Sequence, residues 1–328
     1  MNAANDAAAD GRALDAIELL SQPDHLQVGS AAQQRLVELR HAAFGELDRS
    51  PGRPCWPTTF ADPYPAERGV PETRREQLSG ALIGGAIVNH GCLRVNGLLA
   101  EDAVARFCDH IERSFAARQR VADGAPLASA APWFVPFAPG QAKADGFGHQ
   151  AFIRVVDSPP ALCDLVEVFS AAGVTDAVTD YFMERPAMIA NKWVLRRSPT
   201  GKIGTDFHQD GAFLGEGIRT VDCWISLSHC GPGTGRPGID LVPRRFDSIL
   251  PSGDDAAFGW SLTEHALRSA APGVETASPV FRPGDALFFD ERLPHRTTVG
   301  LDLSVRYAIE SWFVAPSSYP ARHVPIVL

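Results

Sequence analysis

Before residue 48 the chain twice repeats apolar residues at helical spacing, in ALDAIELL and in AAQQRLVELRHAAFGEL, and each predicts an amphipathic helix. Prolines then crowd the stretch from Pro51 to Pro71, including Pro54, Pro57, Pro63 and Pro65. Such a stretch cannot form a helix or a central strand, so an ordered surface loop is expected. From about Ala86, GCLRVNGLL reads as a strand and LAEDAVARFCDHIERSFAARQ as a long helix, with acids early and arginines late as the helix dipole favours. PALCDLVEVFS and VTDAVTDYFM predict two shorter helices. From Ala187 onward the pattern changes to short runs rich in β-branched and aromatic residues: MIANKWVLRR, TVDCWISLS, ALFFDE, RTTVG and SVRYAIESWFV. Helices first and strands later predict a β-sandwich or barrel with helices against one face.

The loop over 121–150 is rich in Ala, Gly and Pro yet carries Trp133, Phe134, Phe137 and Phe147. Two readings stand side by side, a lid over a pocket and aromatics tucking the loop onto the core. For residues 1–75 the expectation is packing or oligomerisation, with a homodimer through the N-terminal helices as one form of it. The division expected is 1–75, a helical extension with a Pro-rich loop, and 76–328, the domain that carries the chemistry.

Composition narrows the class. The 30 basic against 39 acidic side chains leave a net charge of −9, which argues against nucleic acid as a partner, because phosphate binding needs clustered Lys and Arg. Hydrophobic residues make up 45% and no apolar run is long enough to span a membrane, so no membrane partner is expected. The six cysteines, Cys55, Cys92, Cys108, Cys163, Cys223 and Cys230, form no C-x-x-C pair and suit reduced thiols. With no signal-peptide pattern over Met1 to Asp15, a cytoplasmic location is expected.

The chemistry begins at Phe207-His208-Gln209-Asp210-Gly211. In an extended segment residues i and i+2 share a face, so His208 and Asp210 can offer a nitrogen and a carboxylate oxygen to one ion. Alone this pattern is common. His295, in RPGDALFFDERLPHRTTVG where the chain re-enters a sheet, supplies a third ligand. Two imidazoles and one carboxylate leave open positions that suit non-haem Fe(II). Zinc would accept the same ligands, but no H-E-x-x-H pattern accompanies them. Eleven residues past His295 lies Arg306, on the strand face shared by Ser304, Ala308 and Glu310. A guanidinium inside a barrel needs an anion: the far carboxylate of 2-oxoglutarate, or an internal partner such as Glu310 or Asp302.

Together His208-Gln209-Asp210, His295 and Arg306 resemble the phytanoyl-CoA dioxygenase family of Fe(II)/2-oxoglutarate oxygenases. GCLRVNGLLAEDAVARF and FRPGDALFFDERLPHRT are similar to that family's opening strand and helix and to its segment around the distal His, so the resemblance covers about residues 85–316. It implies an α+β, mainly β chain with a double-stranded β-helix (jelly-roll, cupin-like) core flanked by N-terminal helices. It also implies His208, Asp210 and His295 as iron ligands, with 2-oxoglutarate and O2 as co-substrates. Arg306 would anchor the co-substrate carboxylate, Thr297 would assist it, Trp224 would line its pocket and Asn191 would neighbour it. Such an enzyme acts on a small-molecule substrate, and a carboxylate at Asp210, where related halogenases carry a small residue, favours hydroxylation. Two departures concern the substrate. GPGTGRPGIDLVPRRF ends in Arg244-Arg245 where the family often has Pro-Gly-Ser-His, and 246–279 is an insertion without a motif. Arg196, Arg197, Arg219, Arg236, Arg244 and Arg245 flank the strands and are read either as ion-paired or as holding an acidic substrate. The alternatives are a cupin-like isomerase or hydrolase using another metal, and a non-catalytic binding barrel.

Overall fold

Short amphipathic segments need a partner surface to be stable, and the computed structural model shows where each finds it. The structure describes all residues except Met1, 23–26, 51–58, 140–150, 193, 199–200, 204–205, 216, 253–258 and 299, and for 201–203 and 300–303 the backbone alone. The N-terminal helices are α1 (Asn2–Ala9), α2 (Ala13–Leu20) and α3 (Ala31–Ala42), the last capped by the Ser30 hydroxyl, which accepts from the Gln33 N–H. The two predicted helices are present, and α1 lies in the Ala/Asp-rich start for which no element was expected. Their apolar residues form one cluster with Val327 from the end of the chain. Arg40 donates to the Val327 carbonyl at 3.0 Å, so this layer is stitched to the C-terminal strand. Of the Pro-rich stretch, 51–58 lies outside the described residues, and the remainder up to Val70 forms no helix or strand.

Strand β1 (Glu72–Arg74) precedes α4 (Gly80–His90), β2 (Cys92–Asn96) and the long helix α5 (Glu101–Ala122). Helix α4 ends at Gly91, whose φ of +83° turns the chain directly into β2. Then come β3 (Phe152–Ile153), α6 (Pro159–Ala171), α7 (Val174–Phe182), β4 (Ala187–Ile189) and β5 (Leu195–Arg197). Next follow β6 (Gly201–Ile203), β7 (Phe207–His208), the single-turn α8 (Gly211–Leu214), β8 (Thr220–Ser226) and β9 (Ile239–Leu241). The chain closes with β10 (Ser261–Leu262), α9 (Glu264–Ala270), β11 (Ala286–Phe289), β12 (His295–Thr297), β13 (Gly300–Leu303), β14 (Tyr307–Val314) and β15 (Pro325–Val327).

These strands form a large sheet ordered β1-β2-β11-β8-β14-β4-β15, with β5 also on β14 and β3 on β5. A smaller sheet runs β10-β7-β12-β9, and β13 pairs with β6. Every pairing is antiparallel except β1 with β2. Strand parity divides the large sheet cleanly. Leu93, Val95, Val221, Cys223, Ile225, Ala286, Phe288, Ile309 and Phe313 face α4–α7 in the main apolar core. Trp224, Leu287, Phe289 and Ala308 point the other way and share a cluster with Ile239 and Leu241 of the small sheet. The predicted architecture of helices on one face of a two-sheet β unit is therefore observed.

The 121–150 loop is described up to Pro139, and Phe147 lies outside the described residues. Trp133 packs on His110 and under Arg113 of α5, and Phe137 meets His41 edge-on. These two aromatics tuck the loop onto the helices. Among the described residues no helix is long and apolar enough to cross a membrane, and Cys92, Cys108, Cys163, Cys223 and Cys230 are free thiols.

Candidate metal centre

His208 and His295 meet because β7 and β12 pair with those two residues in direct register. Directly opposed antiparallel residues project to the same face, and the two rings lie 4.4 Å apart between centroids. Asp210 arrives by a different route from the one the sequence pattern predicts. Strand β7 ends at His208, and Asp210 adopts helical angles (φ −60°, ψ −28°) as the chain turns into α8. A turn, rather than strand alternation, swings its carboxylate back towards the imidazoles. Gly211 permits that turn, since a Cβ there would run into Ile249 and the Glu291 side chain. Gln209, also buried, braces the turn by donating to the Arg292 carbonyl at 2.6 Å and accepting from the Leu250 N–H at 2.6 Å.

The ligand atoms of His208, Asp210 and His295 all lie within 4.8 Å of one another. His208 Nδ1 lies 3.2 Å from the Asp206 carbonyl and His295 Nδ1 3.1 Å from that of Leu293. A carbonyl only accepts, so each Nδ1 carries the proton and each Nε2 keeps a lone pair. Burial, followed by the neighbouring His295, pushes the His208 imidazole down to about 4, so it stays neutral. Asp210 Oδ2 accepts from the Trp312 indole N–H at 2.7 Å, while Oδ1 faces His208 Nε2 at 3.8 Å. An oriented set of two imidazole nitrogens and one carboxylate oxygen fits a divalent transition-metal ion.

Arg306 immediately precedes β14 rather than lying within it, and its guanidinium carbon is 5.4 Å from the ring of Trp224 on the inner face of the large sheet. It donates twice, at 3.0 Å, to the carbonyls of Pro237 and Gly238, and its buried Nε has no hydrogen-bond partner among the described residues. Glu310, one of the two internal partners considered, pairs instead with Arg196 at 2.5 Å. The other, Asp302, falls among the side chains outside the description. No carboxylate among the described residues reaches Arg306, and burial pushes its guanidinium down to about 10. A buried cation in this state is suited to an incoming anion.

Thr297 is half-buried on the same face of β12 as His295, in register with Ile239. Trp224 is buried against Phe281 at 4.9 Å between centroids. Asn191 departs from expectation. It lies in the turn after β4 rather than on a strand, and its Oδ1 accepts from the Val324 N–H at 3.0 Å. That amide ties down the C-terminal segment.

Several neighbours of the centre went unsingled in the sequence. Trp312 holds Asp210, and its strand parity with Glu310 was the available signal. Trp260 comes from the insertion 246–279, which also supplies β10 as a partner for β7. The Trp260 ring stands edge-on to His208 at 5.4 Å. Lys192 places its ammonium 3.7 Å over Phe213 and 5.2 Å from the Trp312 ring. Asp222, opposite Trp312 in the β8–β14 ladder, is buried, and neither carboxylate oxygen is hydrogen-bonded among the described residues. Of the flanking arginines, Arg196, Arg197, Arg219 and Arg245 are ion-paired with Glu310, Glu112, Glu184 and Asp290, and Arg236 donates to the Val305 carbonyl. Arg244 is exposed over Phe246.

No protein-family model matches this chain, and no curated protein matches it in sequence. Solved structures do. EctD from S. alaskensis with bound Fe is 17% identical, with a TM-score of 0.50 over 71% of this chain and 75% of that one. SnoK, a non-heme alpha ketoglutarate dependent carbocyclase from nogalamycin biosynthesis, is 16% identical, with a TM-score of 0.49 over 75% of this chain and 87% of that one. At such identities the likeness is one of fold.

Proposed function

We propose that this chain is an Fe(II)/2-oxoglutarate-dependent oxygenase with a jelly-roll, double-stranded β-helix core, and that it hydroxylates a small molecule. The observation that carries the reading is a pair of buried features, one on the small sheet and one on the inner side of the large sheet. One is the His208, Asp210 and His295 donor set, and the other is Arg306 without a carboxylate partner among the described residues. A donor set alone would suit many metals. A buried cation without a carboxylate partner calls for a ligand with an anionic tail, and 2-oxoglutarate would meet both needs, chelating through its 2-oxo acid end. The fold shared with EctD is consistent with this assignment.

Bound iron would supply oxidative decarboxylation of 2-oxoglutarate to succinate and carbon dioxide, coupled to oxygen insertion into a C–H bond. The chain does the rest. His208 and His295, fixed by the Asp206 and Leu293 carbonyls, would present lone pairs on one side only. Trp312 occupies Asp210 Oδ2, so Oδ1 is the oxygen that would be offered to a metal. Arg306 would orient the co-substrate, with Thr297 and Trp224 beside it.

The test is formation of succinate from 2-oxoglutarate by Fe(II)-loaded protein in air. Slow, iron-dependent turnover without added substrate is expected, and it should vanish in His208→Ala and Asp210→Ala. Persistence of the same rate in both variants would defeat the assignment.

A further inference from the structure

The arginines around the strands are occupied by carboxylates or backbone carbonyls, with Arg244 facing solvent. Lys192 is different. No carboxylate lies within ion-pair distance of its ammonium among the described residues, and the ammonium lies over the rings of Phe213 and Trp312. The acids that bear on it electrostatically are Asp210, Glu310 and Asp222. Each is accounted for otherwise. Asp210 would be neutralised by the metal, and Glu310 belongs to Arg196. Burial and the nearby Glu310 hold the Asp222 carboxyl well above its ordinary range. Lys192 is therefore a cation of this centre held over aromatic rings, with no carboxylate in ion-pair contact among the described residues.

Phe213 is the third residue after Asp210, so the turn that delivers the carboxylate also delivers this ring. It is 37% exposed, although phenyl groups are usually covered. Trp260 stands edge-on to Phe213 at 6.2 Å and to His208 at 5.4 Å. An aromatic surface thus runs from the metal ligand His208, over Trp260 and Phe213, to the Lys192 ammonium. Such a surface accepts an apolar or ring-bearing body, and its far end accepts an anion.

We propose that Lys192 is the substrate-anchoring residue of this centre, and that the substrate is an organic acid whose apolar body lies on Phe213 and Trp260 while its anionic group meets Lys192. The proposal rests on the oxygenase reading above and adds the substrate class to it. The acid is distinct from 2-oxoglutarate, whose carboxylate goes to Arg306.

The test uses protein loaded anaerobically with Fe(II) and saturating 2-oxoglutarate, so that the Arg306 position is filled. Phenylacetate and phenylpropanoate are titrated against their neutral amides, with binding read by ligand-observed NMR. The acids are expected to bind at least about tenfold more tightly than the amides, the scale of one charge-assisted hydrogen bond. Lys192→Met should erase that preference and Lys192→Arg should retain it, while both still take up iron and 2-oxoglutarate. Equal affinity of acid and amide, no measurable binding of either, or an undiminished preference in Lys192→Met would each overturn the proposal. Failure of the wild-type protein to take up 2-oxoglutarate would instead strike the oxygenase reading on which it rests.

Discussion

The two faces of the large sheet are built from the same strands and do opposite work. On β8, Val221, Cys223 and Ile225 face the helices, while Thr220, Asp222 and Trp224 face the small sheet. On β14, Ile309 and Phe313 go to the helices, and Glu310 and Trp312 go to the metal centre. The helix face is a dry apolar core in which nearly every atom gains by burial. The inner face buries polar groups whose needs are only partly met, such as both oxygens of Asp222 and the Nε of Arg306. Unmet buried polarity costs stability, so the helix face must offset what the inner face leaves open for ligands.

The sharpest way to break this comparison is to damage each face in turn. Phe313→Ala, on the helix side next to Phe169, should cost about 3–5 kcal/mol in urea unfolding, because it leaves a cavity in the core. Metal uptake by the folded fraction should be unaffected. A loss below about 1 kcal/mol would mean that this face is not the principal source of stability.

On the inner face, Glu291 gives a pH signature. Burial, then the adjacent Asp290, raises its carboxyl from an ordinary value near 4.5 to about 7. A raised folded value means that the folded protein keeps a proton the unfolded chain releases. Its contribution is therefore complete below about 4.5 and is lost as pH rises through 7. Comparison of wild type with Glu291→Gln by chemical unfolding across that window should show a pH-dependent difference of roughly 3 kcal/mol. Parallel curves would show that Glu291 titrates normally.

Trp312 sharpens the contrast further. Trp312→Phe keeps the ring but removes the N–H that holds Asp210 Oδ2. Metal affinity should fall about tenfold or more, as for other groups that orient a ligand. Stability of the metal-free protein should fall by about 1–3 kcal/mol, the cost of leaving a buried acceptor unpaired. Competitive chelator titration and thermal unfolding separate the two effects.

Much of this was legible in the sequence, for a physical reason. Strand alternation fixes which residues share a face, so Arg306, Ala308 and Glu310 could be placed together before any coordinates. The pairing of Arg306 was not legible, because Glu310 is taken by Arg196, a partner from a different strand. Parity also misled at Asp210, where a two-residue strand ends and a turn takes over. Trp260 was hidden because nothing within the insertion 246–279 specifies that it folds back to give β7 a further partner. Asn191 matched by position along the chain, yet the need to tie down Val324 decides where its amide points.

The account turns on the triad and Arg306 acting on one ligand. Under anaerobic conditions, Fe(II) should bind the wild-type protein, and 2-oxoglutarate should then raise the weak visible charge-transfer band of an iron chelate. Arg306→Met should need about tenfold or more additional 2-oxoglutarate to reach the same band, having lost a charge-assisted contact. Intact, folded wild-type protein that gives no band, or an Arg306→Met protein that titrates identically to it, would contradict the account.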